Sequence, residues 1–166
     1  MKYDFDENSD GTYVALKVKN YAELAEFFRK QGIDVIEPIN SLHVTVAYSV
    51  IGFKHTVNDG IVTIKPGEIN ANLELLGENC WVMKFNNSEI QSRFNKCMEE
   101  GASFDYPTYQ PHITITNSIG DLTVEQIKMP DFDIILGDEY TTPIKNDFSY
   151  TDTVDKYTGE NQSKFD

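Results

Sequence analysis

Two segments of the chain carry the same alternation of polar and β-branched residues: His43-Val44-Thr45-Val46 and His112-Ile113-Thr114-Ile115. A period of two marks a half-buried strand, with His and Thr on one face and the apolar pair on the other. Each segment therefore predicts an imidazole and a hydroxyl side by side, backed by core. Aligning the second segment on the first places Gly101 on Gly32 and Pro107 on Pro38 without a gap. Ahead of each glycine lies a helical pattern, and ahead of each helix a strand pattern. Two such copies are too few for a solenoid. They suit two lobes about a pseudo-twofold axis, each presenting one His-x-Thr to a shared cleft.

The intervening pattern fills in the remaining elements. Residues 12–19 alternate and predict a strand. Asn20 with Glu23 predicts a capping box opening a helix to Gln31, with Tyr21, Leu24, Phe27 and Phe28 on its buried face. Gly32 supplies its left-handed stop. Val35 to Ile39 leads through Pro38 into the first motif strand, residues 43–48. Residues 49–60 read as a loop whose His55 has Thr beside it rather than two places on, and is expected to be solvent-exposed. Strands are expected over 61–64, 69–76 and 80–85, separated by Pro66-Gly67 and by a turn at 77–79. Ser88 and Gln91 form a second capping box, and Ile90, Phe94, Cys97 and Met98 make an apolar stripe ending at Gly101. Residues 122–129 read as a short helix or turn, and 132–136 and 139–144 as two further strands. Residues 1–11 are expected to be a flexible N-terminus, 12–145 one domain, and 146–166 a polar, mobile tail.

Composition narrows the function. With 166 residues and 40% apolar content, the chain can bury a sizeable core. No apolar run is long enough to cross a bilayer, and the acidic start of the chain does not read as a secretory signal. Cys80 and Cys97 form no CxxC and no ligand spacing, and read as reduced core thiols in a cytosolic protein. The chain has 27 acidic and 14 basic residues, a net charge of -13, and no basic run. That argues against gripping a long nucleic acid through its phosphates and favours a small nucleotide held by stacking and a few hydrogen bonds. No Gly-rich phosphate loop, metal-ligand cluster or serine elbow is present, so neither cofactor nor metal is expected.

Two imidazoles facing across a cleft suit in-line phosphoryl transfer. A neutral His takes a proton from a ribose 2′-hydroxyl as that oxygen attacks the adjacent phosphorus; a protonated His gives one to the departing 5′-oxygen. Thr45 and Thr114 lie within reach of the phosphate oxygens and steady their charge. The expected product carries a 2′,3′-cyclic phosphate, or a 3′-phosphate once water opens it.

The paired His-x-Thr strands resemble the two-histidine (2H) phosphoesterase superfamily. The Tyr13-Val14-Ala15 opening and the closing Glu139-Tyr140-Thr141-Thr142-Pro143 are similar, more narrowly, to phage anti-CBASS nucleases, over residues 12–145. The resemblance implies an α+β fold, with antiparallel sheets around a central cleft and helices packed outside. It also implies an adenine-containing cyclic di- or trinucleotide substrate with 3′–5′ linkages, metal-independent cleavage at His43, Thr45, His112 and Thr114, and action in the bacterial host cytoplasm. Tyr13 and Trp81 are the expected base platforms, and Glu139 the expected acceptor from an adenine amino group. Two alternatives stand beside this reading: a 2H enzyme for 2′,5′-linked oligonucleotides or RNA ends, and a sponge that binds the messenger without cutting it.

Overall fold

The computed structural model describes residues 10–145. Seven strands and two α-helices follow in the order β1 (Gly11–Val18), α1 (Tyr21–Arg29), β2 (His43–Ser49), β3 (Val62–Ile64), β4 (Glu74–Leu76), β5 (Cys80–Lys84), α2 (Ser88–Glu99), β6 (His112–Thr116) and β7 (Ile134–Ile144). Short 3-10 turns lie at Ile39–Ser41, Pro66–Glu68 and Val124–Gln126. The strands form two antiparallel sheets, ordered β2-β1-β7-β3 and β4-β5-β6. A single apolar cluster runs through both, from Val14, Leu16 and Val44 to Met83, Ile113 and Ile115. The segment after α1 stitches the lobes together: Ile36 N–H donates to the Ile115 carbonyl at 2.9 Å, and Val35 bridges to Thr116.

The duplication extends to the hydrogen bonding. Both helices end in the same two-bond Schellman arrangement, Gly32 to Arg29 with Ile33 to Phe28, and Gly101 to Met98 with Ala102 to Cys97. Gly32 at φ +90° and Gly101 at φ +112° adopt the left-handed conformation this closure needs. In the ladders, Lys17 pairs with His43 and Ala15 with Thr45; Lys84 pairs with His112 and Val82 with Thr114. Each ladder then slips by one residue at the position after the threonine, Val46 in β2 and Ile115 in β6. A β-bulge of this kind strengthens the local twist and re-aims side chains. Its recurrence makes the two His-x-Thr strands equivalents in three dimensions.

Several expected details differ. Asn20 does not cap α1 with its side chain; its amide holds β7 instead, accepting from Ile135 N–H and donating to the Asp133 carbonyl. The second cap is Asn87, not Ser88, and it accepts from Ile90 N–H at 3.0 Å. The strand expected over 69–76 shortens to Glu74–Leu76, with Ile69 making only a bridge to Phe85. The two strands expected at the end are one, β7, interrupted by a one-residue slip against β1. Asp138 takes the slip at φ 49°. Gly11, expected in a flexible terminus, is buried and paired with Ile144. The expected mobility of residues 1–9 and of the tail 146–166 lies outside the described residues. Cys97 is buried as expected, but Cys80 is only partly so. Among the described residues no helix is long and apolar enough to cross a membrane.

Candidate active site

Strand alternation turns His43, Thr45, Tyr13, Lys17 and Tyr140 to one face of the first sheet, and His112, Thr114 and Lys84 to one face of the second. Ala15 and Val82, opposite the two threonines, are fully buried yet belong to no part of the main apolar cluster. They hold equivalent positions in the two ladders.

The two imidazoles are held identically. His43 Nδ1 lies 2.9 Å from the Ser41 carbonyl, and His112 Nδ1 lies 3.0 Å from the Gln110 carbonyl, in each case two residues back. A carbonyl only accepts, so Nδ1 carries the proton and Nε2 is left as the basic atom. Burial lowers the pKa of His43, against a smaller upward pull from the Ser41 bond. Burial likewise lowers that of His112, to about 4, against the Gln110 bond and with further lowering by His43 and Lys84. Strands β2 and β6 lie in contact, which brings the two rings into one neighbourhood.

Tyr13 anchors the first half of the site. Its hydroxyl shares a 2.9 Å hydrogen bond with Thr45 Oγ1, and its ring meets those of His43, Tyr48 and Tyr140 edge-on at 6.1–6.5 Å. Tyr109 donates to the Thr45 carbonyl at 2.7 Å while its ring stacks on Phe94 at 4.3 Å, which pins β2 from the other lobe. The Thr114 hydroxyl has no hydrogen-bond partner among the described residues. Trp81 occupies the register position that Val14 holds in the first half; it packs against the core and keeps part of its ring open.

Glu139 is not at this site. The slip at Asp138 inverts the alternation of β7, so Tyr140 faces the cleft and Glu139 faces the interior. Its side chain is 1% exposed and its carboxylate is fully engaged. Oε2 accepts from Arg93 at 3.1 Å, and Oε1 accepts from His55 Nε2 at 2.7 Å and from Asn58 N–H at 2.9 Å. An adenine amino group has no access to it. His55 also corrects the sequence reading. It is 3% exposed and bridges Glu139 to Glu100, whose Oε1 lies 2.6 Å from Nδ1. This buried network, with Arg93 also bonded to the Asn58 and Gly60 carbonyls, ties the 49–60 loop to α2 and β7. One signal for it was legible: Arg93 falls at i+3 from Ile90 on the apolar stripe of α2, and a cation there requires a buried partner. A cavity of roughly 70 Å³ adjoins this network and is lined by His55, Asn58, Arg93 and Glu139, not by the paired histidines.

Among the described residues, His55, Cys97 and Glu100 bring possible ligand atoms within 4.8 Å of one another. Both nitrogens of His55 are already bonded to carboxylates, and burial pushes the Cys97 thiol up to about 12, so it is protonated. The trio fits a hydrogen-bonded support better than a metal centre.

Solved structures share this architecture. A crystal structure described as a phosphoesterase superposes with a TM-score of 0.53 at 11% identity, over 81% of this chain and 88% of that one. E. coli LigT complexed with 3′-AMP gives 0.51 at 11% identity, over 82% and 96%. At that identity the likeness is one of fold, the two-sheet phosphoesterase fold. Among sequence relatives, the Anti-CBASS protein Acb1 of Caulobacter sp. (strain RHG1) is 33% identical over 134 residues, 76% of this chain but 21% of that protein. This chain therefore spans about a fifth of that relative's length. The Anti-CBASS protein Acb1 of Yersinia phage phiR1-RT is 26% identical over 150 residues, 87% of this chain and 95% of its own. The family model described as Anti-CBASS protein Acb1 matches residues 10–151, from the first strand past the last and through both His-x-Thr strands. The chain belongs to the Acb1 family of anti-CBASS proteins.

Proposed function

We propose that this chain is a phosphodiesterase that opens the 3′–5′ linkages of adenine-containing cyclic di- and trinucleotides, without a metal, and so silences CBASS signalling in the host cytoplasm. The observation that carries the reading is the matched pair of imidazoles, each with Nδ1 tied to a carbonyl two residues back and Nε2 without a hydrogen-bond partner among the described residues. One Nε2 removes the ribose 2′-proton and the other protonates the departing 5′-oxygen. Thr45, positioned by Tyr13, and Thr114 donate to the phosphate oxygens. No carboxylate or thiol of the described metal-capable trio is grouped with these histidines. The names of the relatives supply the signalling context, and the net charge of -13 favours a small substrate over a long one.

A time course with labelled cyclic triadenylate in EDTA is the test. Conversion to a linear product is expected, and the 2′-deoxy ring should bind without being cut. Recovery of intact ligand would make the protein a sponge, and preference for a 2′,5′-oligoadenylate would make it a broader 2H enzyme. Turnover of the 2′-deoxy ring would place the nucleophile on water.

The pH profile follows from the site. The active pair carries one proton. In the empty site both imidazoles give up protons more readily than a free one, near 6.5. The bell for kcat/KM, which reports the free enzyme, should therefore peak on the acid side of about 6.5. A bound phosphodiester draws protons onto the rings, so the kcat bell should peak at higher pH. The reverse order of the two optima would contradict proton transfer by this pair.

Tyr13, on the same face as His43 and Thr45, is the proposed base platform. Trp81 alternates with Val82 and Lys84 on β5 and so projects from the face opposite His112, against the core, which counts against the platform expected of it. Trp81→Ala should therefore lower the melting temperature and leave binding of the 2′-deoxy ring near that of the parent. A loss of about 1–3 kcal/mol in binding without a fall in melting temperature would return Trp81 to the substrate.

A further inference from the structure

The cleft lies in a strongly acidic protein, with 27 acidic residues against 14 basic ones, and an anionic phosphodiester needs local positive charge to enter it. The duplicated ladders supply that charge twice. Lys17 is the cross-strand partner of His43, and Lys84 is the cross-strand partner of His112. Directly opposed residues of an antiparallel pair project from the same face with Cβ atoms about 5 Å apart, so each lysine stands beside its imidazole on the cleft side. Side-chain contacts agree. Lys17 Nζ lies 5.8 Å over the ring of Tyr140, which itself touches Tyr13. Lys84 reaches along the same face to Glu74, 2.9 Å away, and its charge bears on His112. The remaining charges near the pair are few. Asp138 senses Lys17 but is bonded to Lys19, and Glu74 is about half exposed, so its ion pair with Lys84 is weak and readily exchanged.

We propose that Lys17 and Lys84 are the paired phosphate-holding residues of the cleft, one per His-x-Thr strand, together holding the scissile phosphate between the two imidazoles. This deepens the proposed function and rests on it. A resting lysine is parked on an aromatic face or a solvent-facing carboxylate, both weaker partners than a phosphate oxygen held in the cleft. The pair also gives positive charge to the transferring phosphoryl group as its oxygens gain charge.

The test uses equilibrium binding of the 2′-deoxy cyclic triadenylate, followed calorimetrically, beside turnover of the ribose form. Lys17→Gln and Lys84→Gln should each weaken binding on the order of tenfold, the loss of one charge-assisted hydrogen bond. Each should also flatten the dependence of binding on salt, which a merely structural role would leave unchanged. Lys→Arg at either position should restore most of the affinity. Melting temperatures should stay near that of the parent, since both side chains reach solvent. Parent-like affinity and salt dependence in both Gln variants, with the parent binding and cleaving normally, would overturn the lysine proposal alone. A parent that neither binds nor cleaves the ring would overturn the underlying function, and the proposal with it.

Discussion

His43→Ala and His112→Ala should each abolish most turnover while leaving affinity for the cyclic nucleotide largely intact. Each deletes one partner in proton transfer, an effect typically worth about 10²–10⁴ in rate. The proposed platform and hydroxyls remain in place, because Tyr13 is fixed by Thr45 and by three ring contacts and not by either imidazole alone. The double variant should lose far less than the product of the two single losses, since both rings serve one proton-transfer cycle. Stopped-time assays with binding measured in parallel decide the matter. Near-normal turnover in either variant would refute the joining of the two motifs into one site. His55→Ala is no neutral control for this experiment, because His55 is buried between Glu100 and Glu139.

The second large effect falls on stability. Glu139→Ala should destabilise the protein by about 3–5 kcal/mol, the usual consequence of removing one partner from a buried ion pair. The Arg93 side chain, 5% exposed, would lose the carboxylate it faces at 3.1 Å, and His55 Nε2 and Asn58 N–H would lose their acceptor. For a chain of this size that corresponds to a fall in melting temperature on the order of 10 °C. Arg93→Ala should produce a similar loss. Glu139→Gln keeps the volume and one acceptor oxygen, and should be milder. Thermal melts and ligand binding on the same samples separate structure from recognition. A Glu139→Ala protein that melts like the parent but binds the nucleotide poorly would return Glu139 to the substrate site.

The sequence by itself determined the parts that depend on local periodicity. The alternation in His43 to Val46 and His112 to Ile115 was enough to assign two strands and to put His and Thr on one face of each. The gapless match of Gly32 with Gly101 anticipated two helices stopped in the same way, because only a residue free to turn left-handed closes that hydrogen-bond pattern. The two-lobed fold and the superfamily resemblance rested on those same residues, and the narrower resemblance on Tyr13-Val14-Ala15 and Glu139-Tyr140-Thr141-Thr142-Pro143.

What tertiary structure alone decided is everything set by register. A one-residue slip at Asp138 exchanges the two faces of β7, and no local pattern announces such a slip. The resemblance put Glu139 at the substrate, whereas the fold turns it beneath the sheet against Arg93 and leaves Tyr140 on the other face. Partners distant in sequence were hidden for the same reason. His55 looked exposed because its neighbours in the chain are polar, yet Glu100 and Glu139, 45 and 84 residues away, enclose it. The pairing of Lys17 with His43 and of Lys84 with His112 is likewise a fact of strand register, since a cross-strand neighbour is chosen by how two strands align and not by the residues beside it in the chain.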